Sequence, residues 1–235
     1  MRVAIVENTH VTHHGQLGVA LHEAGARIDL WKPWRAGDGA AALPDLGAYD
    51  ALVVFGGEQT ALADASHPYL PRLAHLMKES AAMGIATLGV CLGSQVFARG
   101  IGANNHIGTA GEYGWSEVSL TEAGRTDPVL SQVPQTFPIM QWHSDTFSLP
   151  PGAVHLASSP KAAVQAFRYG RAGYGTQFHF EANRAVAADW AREFAPAFEA
   201  ARPGWVGDFD AHAAAHGPAA DAHGLAIARA WVKLI

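Results

Sequence analysis

Thr87-Leu88-Gly89-Val90-Cys91-Leu92-Gly93-Ser94-Gln95 runs from an apolar, strand-like segment through Gly-x-Cys-x-Gly into a helical pattern. This is the form of a nucleophile elbow. Glycines two residues to either side of a central residue let strand and helix approach closely, while the central side chain sits exposed in a strained turn. A helix N-terminus behind a cysteine also favours the thiolate. The stretch therefore predicts an α/β fold with Cys91 at the end of a strand, presented for chemistry.

Working outward, the first half of the chain alternates short β-branched runs with helical spacing. Val3-Ala4-Ile5-Val6 reads as a strand, and Leu17, Ala20, Leu21 and Ala24 as a helix stopped by Gly25. Further strands are expected at Arg27 to Trp31, Ala51 to Phe55 and Ile85 to Val90, with a helix from Leu70 to Met83 before the last. This alternation predicts a mostly parallel, doubly wound sheet flanked by helices.

From Trp115 to Phe178 the pattern becomes short strands between Pro and Gly turns: Ser116 to Leu120, Val154 to Ser158, Val164 to Tyr169 and Gly173 to Gln177. These predict the later strands of the sheet plus a small antiparallel section. Ala182 to Ile235 is Ala-rich and helical, with interruptions expected at Pro196, Pro203-Gly204 and Gly217-Pro218. With no internal repeat and no linker-like stretch, residues 1–235 are expected to form one domain.

Composition narrows the function classes. Half of the 235 residues are apolar (49%) and 16% are charged, which fits a large buried core and excludes a disordered chain. A net charge of −5, with no clustering of Lys and Arg, argues against a nucleic-acid partner. Gly, Pro, His and charges break every apolar run before it reaches membrane-spanning length, so no membrane association is expected. The lone Cys91 excludes an intramolecular disulfide, and MRVAIVEN lacks a signal-peptide pattern; a cytoplasmic location is the expectation.

A thiol nucleophile needs a base, and the base needs an orienter. Gln177-Phe178-His179-Phe180-Glu181 offers both at the end of a strand, where residues i and i+2 point to the same side. Glu181 can then hold one ring nitrogen of His179 and leave the other facing Cys91.

These residues resemble the triad, or class I, glutamine amidotransferases, a group that includes the amidotransferase part of GMP synthetase and the related γ-glutamyl peptidases. The resemblance covers most of the chain. It rests on the Cys91 and His179 motifs and on Phe55-Gly56-Gly57, Glu112-Tyr113-Gly114-Trp115 and Gln141-Trp142-His143-Ser144-Asp145-Thr146-Phe147, in the family's order. The order nucleophile, His, Glu separates it from α/β-hydrolases, whose acid precedes the His.

The resemblance implies a flavodoxin-like class I amidotransferase fold and a Cys91, His179, Glu181 triad. It also implies an oxyanion hole at the Gly57 and Leu92 N–H groups, substrate contacts from Gln95 and Ser144, and no cofactor. By that likeness Cys91 attacks the side-chain amide of glutamine or a γ-glutamyl compound, His179 protonates the leaving amine, and water releases glutamate. The alternatives are a glutaminase subunit that supplies ammonia to a separate synthase partner, and a non-catalytic binding protein on the same fold. The family usually has Pro where this chain has Glu58 and Phe180; Phe180 is expected to pack against a C-terminal helix, and Glu58 to be a solvated loop charge.

The His10, His13 and His14 cluster lacks a further ligand nearby, so no metal site is expected there, and a substrate-contact role is the secondary reading. His212, His216 and His223 are expected to face solvent.

Overall fold

The computed structural model of the protein describes residues 1–36 and 42–235. Its strands are β1 (Arg2–Val6), β2 (Arg27–Trp31), β3 (Ala51–Val54), β4 (Ala86–Val90), β5 (Asn105–His106), β6 (Glu112–Leu120), β7 (Thr136–His143), β8 (Thr146–Phe147), β9 (Val154–Ser158), β10 (Ala166–Tyr169) and β11 (Gly173–Thr176). The helices are α1 (Gly15–Glu23), α2 (Leu70–Ala82), α3 (Leu92–Gly100), α4 (Glu122–Thr126), α5 (Arg184–Glu193), α6 (Ala195–Ala201) and α7 (Phe209–Val232).

Nine strands form one sheet in the order β2-β1-β3-β4-β11-β10-β9-β6-β7, and β5 pairs separately with β8. The first five strands in that order run parallel, giving the mostly parallel α/β sheet expected from the β–α alternation. The antiparallel section is larger than expected, at four strands. Its longest unpredicted member is β7, whose Pro138 argues against a strand in sequence. Because β7 is the edge strand, a residue without an N–H is tolerated there.

Both faces of the inner parallel strands β1, β3, β4 and β11 are covered, which is why β1 reads as an unbroken apolar run. Val3 and Ile5 face Leu17 and Leu21 of α1 and the cluster holding Ile227 and Trp231 of α7. Ala4 and Val6 face the opposite cluster, with Leu73 and Met77 of α2 and Val96 and Phe97 of α3. These side chains are essentially solvent-free, and each large one contributes about 1.5–3 kcal/mol of burial.

The interruption expected at Gly217-Pro218 is absent: α7 runs through it. Proline inside a helix costs about 3 kcal/mol. Here that cost is offset by the buried Ile227, Ala228 and Trp231, which hold the helix on the sheet, while the Pro218 ring faces solvent. His216 is exposed as expected, but His212 and His223 are half-buried. The His223 ring stands edge-on to Phe137 at 5.6 Å, because that helical position faces β7 rather than water.

Strand order reverses at β1, which lies between β2 and β3. In open α/β sheets such a switch point leaves a crevice beyond the carboxyl ends of the strands. The segments following β1, β3, β4 and β11 converge there.

Candidate active site

Cys91 is the only non-glycine residue with positive φ among the described residues (φ 51°, ψ −111°). A turn of this kind costs roughly 1–3 kcal/mol and persists only where its surroundings enforce it. The enforcement is visible. The Cys91 N–H donates to the Thr176 carbonyl at the end of β11 (2.8 Å), and its carbonyl accepts from the Ser94 hydroxyl (2.7 Å) and the Gln95 N–H (3.1 Å). A Cβ on Gly93 would overlap the Val54 carbonyl, and one on Gly89 would overlap the Gly93 carbonyl, so both glycines of the motif are needed for helix α3 to sit on β3 and β4.

His179 leaves β11 in a bridge to β7, its N–H donating to the Met140 carbonyl at 2.9 Å. Its Nδ1 lies 2.7 Å from Glu181 Oε1, and both residues are buried. Glu181 is fixed in turn: its carbonyl accepts from the Gln16 N–H (2.9 Å), and Gly15, at φ +45°, leaves room for that carbonyl where a side chain would overlap it. Burial opposes a charge on His179 most strongly, but the Glu181 carboxylate and the neighbouring Cys91 together outweigh it, and the imidazole pKa is pushed up to about 10. Gly56 lies between the two groups; a methyl built there would come 3.3 Å from His179 Cε1 and 3.5 Å from Cys91 Cβ.

Gly57 lines the same cavity and abuts Leu92, whose Cδ2 would be 3.1 Å from a Cβ on Gly57. Leu92 is the first residue of α3, so its N–H has no intrahelical acceptor. The Gly56-Gly57 loop is anchored by Asn8, a residue that no motif in the sequence marks. Asn8 Nδ2 donates to the Phe55 carbonyl (2.8 Å), the Tyr69 hydroxyl donates to Asn8 Oδ1 (3.1 Å), and Gln59 Nε2 donates to the Tyr69 oxygen (2.7 Å).

Gln95 and Ser144 do not line the cavity. Gln95 is buried behind the cysteine: its Nε2 donates to Gln177 Oε1 (3.2 Å), and Gln177 Nε2 reaches Cys91 Sγ (3.7 Å). Ser144 is exposed, its hydroxyl donating to Asp145 Oδ1 (3.0 Å), and Asp145 also accepts from the Gly108 N–H (2.9 Å). Glu112 accepts from Gln165 Nε2 (2.6 Å) and the Ser159 hydroxyl (2.8 Å), while Trp115 is buried against Trp205 and Phe209. These motifs build the antiparallel half of the sheet.

The first-loop histidines each meet one carboxylate: His10 with Glu193 (3.4 Å), His13 with Asp189 (2.7 Å) and His14 with buried Glu7 (3.0 Å). No group of three metal-ligating side chains occurs among the described residues. Glu58 is exposed at the cavity rim, whereas Phe180 is buried, its carbonyl against Gly224 of α7.

The cavity measures about 260 Å³ and brings together Cys91, His179, Glu181 and Gly57 with Trp142, Trp190 and Phe194. Trp190 stands edge-on to the His179 ring at 4.9 Å. Such an arrangement can form a thioester at sulfur and pass a proton through the imidazole.

Residues 17–192 match the family model described as glutamine amidotransferase class-I. The glutamine amidotransferase-like protein YfeJ of Salmonella typhimurium is 33% identical over 146 residues, 61% of this chain and 61% of that protein's length. A glutamine-hydrolyzing GMP synthase subunit of Methanoregula boonei is 30% identical over 185 residues, 75% of this chain and 89% of that one. A glutamine amidotransferase structure from Thermotoga maritima superposes with a TM-score of 0.85 at 24% identity, covering 100% of this chain and 97% of that one. The fold is thus the flavodoxin-like one expected from the sequence motifs.

Proposed function

The chain belongs to the class I glutamine amidotransferase family, and from that premise we propose that it hydrolyses the side-chain amide of glutamine or of a γ-glutamyl compound through a Cys91 thioester. The observation that carries this reading is that His179, with its Nδ1 2.7 Å from Glu181 Oε1, shares the wall of one cavity with Cys91. The Cys91 thiolate attacks the amide carbon, and the oxyanion forms against the Gly57 and Leu92 N–H groups. His179 gives its proton to the leaving nitrogen as the C–N bond breaks. Water then attacks the thioester with His179 taking its proton, releasing glutamate and restoring the Cys91 thiolate beside the protonated imidazole. Glu181 holds the imidazole in the required orientation throughout. This cycle uses neither metal nor cofactor, and a free thiol nucleophile suits the cytoplasm.

Supporting the single-domain reading, α7 packs back on α1 and β7, so the C-terminal helix shares the core of the N-terminal strands. The test of function is glutamate release by the purified chain from glutamine and a panel of γ-glutamyl amides, with mass-spectrometric detection of the Cys91 adduct formed by a glutamine-mimicking electrophile. Release by the Cys91→Ala variant at the wild-type rate sinks the reading.

A second reading, a glutaminase subunit serving a separate synthase, is favoured by the likeness to the Methanoregula boonei protein across 89% of its length. Glutamine hydrolysis that appears only when a synthase protein is added distinguishes it. The non-catalytic reading is disfavoured by the intact, buried Cys91, His179 and Glu181 arrangement.

A further inference from the structure

We propose that the preferred substrate is a γ-glutamyl amide whose leaving amine carries an aromatic or bulky apolar group. This rests on the amide-hydrolase reading above and adds the identity of the group beyond the scissile bond.

The destination of the proton fixes the orientation of the substrate. His179 supplies it to the leaving nitrogen, so whatever that nitrogen carries lies on the His179 side of the cavity, while the oxyanion lies on the Gly57 side. The His179 side is aromatic. Trp190 packs edge-on to the imidazole, and Phe194 and Trp142 meet at 4.7 Å to continue the wall, with Ala197 and Val11 completing it. Trp142 and Phe194 are only half-buried, leaving apolar surface open to the cavity. The wall is braced: Trp190 Nε1 donates to the Val11 carbonyl at 3.3 Å, and Trp142 packs on Phe198 at 4.2 Å.

Charge points the same way. Among the described residues no Lys or Arg lines the cavity, and its carboxylates are Glu58 and Glu181. An acidic leaving group would meet no cation other than the imidazoles of His179 and His13, the latter already paired with Asp189. Ammonia, the leaving group of glutamine, would leave the aromatic surface wet. Phe194 and Ala197 also lie beyond the segment that matches the family model, which ends at residue 192, so this part of the wall is not set by the family pattern.

The test compares kcat/KM for γ-glutamyl benzylamide, glutamine and γ-glutamyl-glutamate with the intact chain. Discrimination by a fitted apolar pocket is typically about 10–200-fold, so the benzylamide is expected to exceed glutamine by at least about tenfold, with γ-glutamyl-glutamate last. Ala197→Phe, at an exposed position, fills the pocket and is expected to lower the benzylamide-to-glutamine ratio by about tenfold. Phe194→Ala removes the wall and should lower the same ratio. Glutamine hydrolysed as well as the benzylamide, or a ratio unmoved in both variants, overturns the proposal while leaving amide hydrolysis standing. Folded protein that releases glutamate from none of the three overturns the hydrolase reading and this proposal with it.

Discussion

His179 Nδ1 sits 2.7 Å from Glu181 Oε1, and the two side chains are almost wholly shut off from solvent. Burial is the strongest single influence on the ring and opposes its charge, yet the carboxylate at that distance and the neighbouring Cys91 together outweigh it.

The first prediction concerns that charge. With its pKa raised from 6.5 to about 10, His179 binds a proton more tightly in the folded chain than in the unfolded one. Its contribution to stability is therefore fully present below pH 6.5 and is lost as pH rises through about 10. Imidazole NMR should show His179 still protonated at neutral pH. Alkylating Cys91 or replacing Glu181 by Gln should lower its titration midpoint, and an unperturbed midpoint near 6.5 in the wild type would refute the assignment. In turnover by the proposed mechanism, Glu181→Gln should cost roughly tenfold to a hundredfold less than His179→Ala, since an orienter contributes less than the group that moves the proton.

Cys91 supplies a second test. Its positive φ is strained for any residue with a Cβ, so Cys91→Gly should abolish glutamate release yet stabilise the fold by about 1 kcal/mol. Cys91→Ala should be inactive without that gain. Denaturant midpoints of the two variants check the difference.

With the Gly57 N–H as the proposed oxyanion donor, Gly57→Ala should cut kcat by about 10²–10³-fold, the usual loss when such a donor is displaced. The added methyl would lie 2.6 Å from Gln59 Oε1 and 2.9 Å from Asn8 Cβ, forcing the loop to move. Labelling of Cys91 by a simple alkylating agent should continue, showing that the thiol itself is intact.

At the rim, Glu58 faces water, so its field is screened. Glu58→Gln should raise kcat/KM for an acidic leaving amine relative to a basic one by only about two- to threefold at low salt, and the change should shrink at high salt. Paired γ-glutamyl substrates measured at two ionic strengths decide it, and a salt-independent shift would show that the carboxylate acts by contact instead.

The final prediction reaches the site from the far side of the fold. A Cβ on Gly224 would overlap the Phe180 carbonyl, between His179 and Glu181. Gly224→Ala should therefore destabilise the protein by about 2 kcal/mol or more and reduce turnover in the folded fraction. Thermal melts and active-site titration separate the two effects.

The elbow is readable in the sequence because its requirement is local: Gly89 and Gly93 are spaced by the strand-to-helix turn itself. His179 and Glu181 are readable for the same reason, as neighbours at a strand end. Asn8 is not, since its role depends on Phe55 and Tyr69, which only folding brings to it. The aromatic wall is equally hidden, because nothing in the Ala-rich C-terminal region states that α5 and α6 will turn Trp190 and Phe194 toward a thiol. Gln95 shows the opposite limit. Its helical position is legible, but which face of α3 points at the cavity is decided by the partner Gln177. Strand β7 is masked by Pro138, a residue whose meaning depends on whether a strand is central or at an edge.

Strand β11 lies between β4 and β10, and its last residue, Thr176, receives the Cys91 N–H. On a ribosome the elbow emerges well before β11, and closing so long a loop is an entropically costly, non-local step. Until it closes, the cysteine has neither its backbone anchor nor an imidazole beside it. On the proposed mechanism the nascent chain thus carries a disarmed thiol, and insertion of the central strand that completes the sheet is also the event that switches the chemistry on.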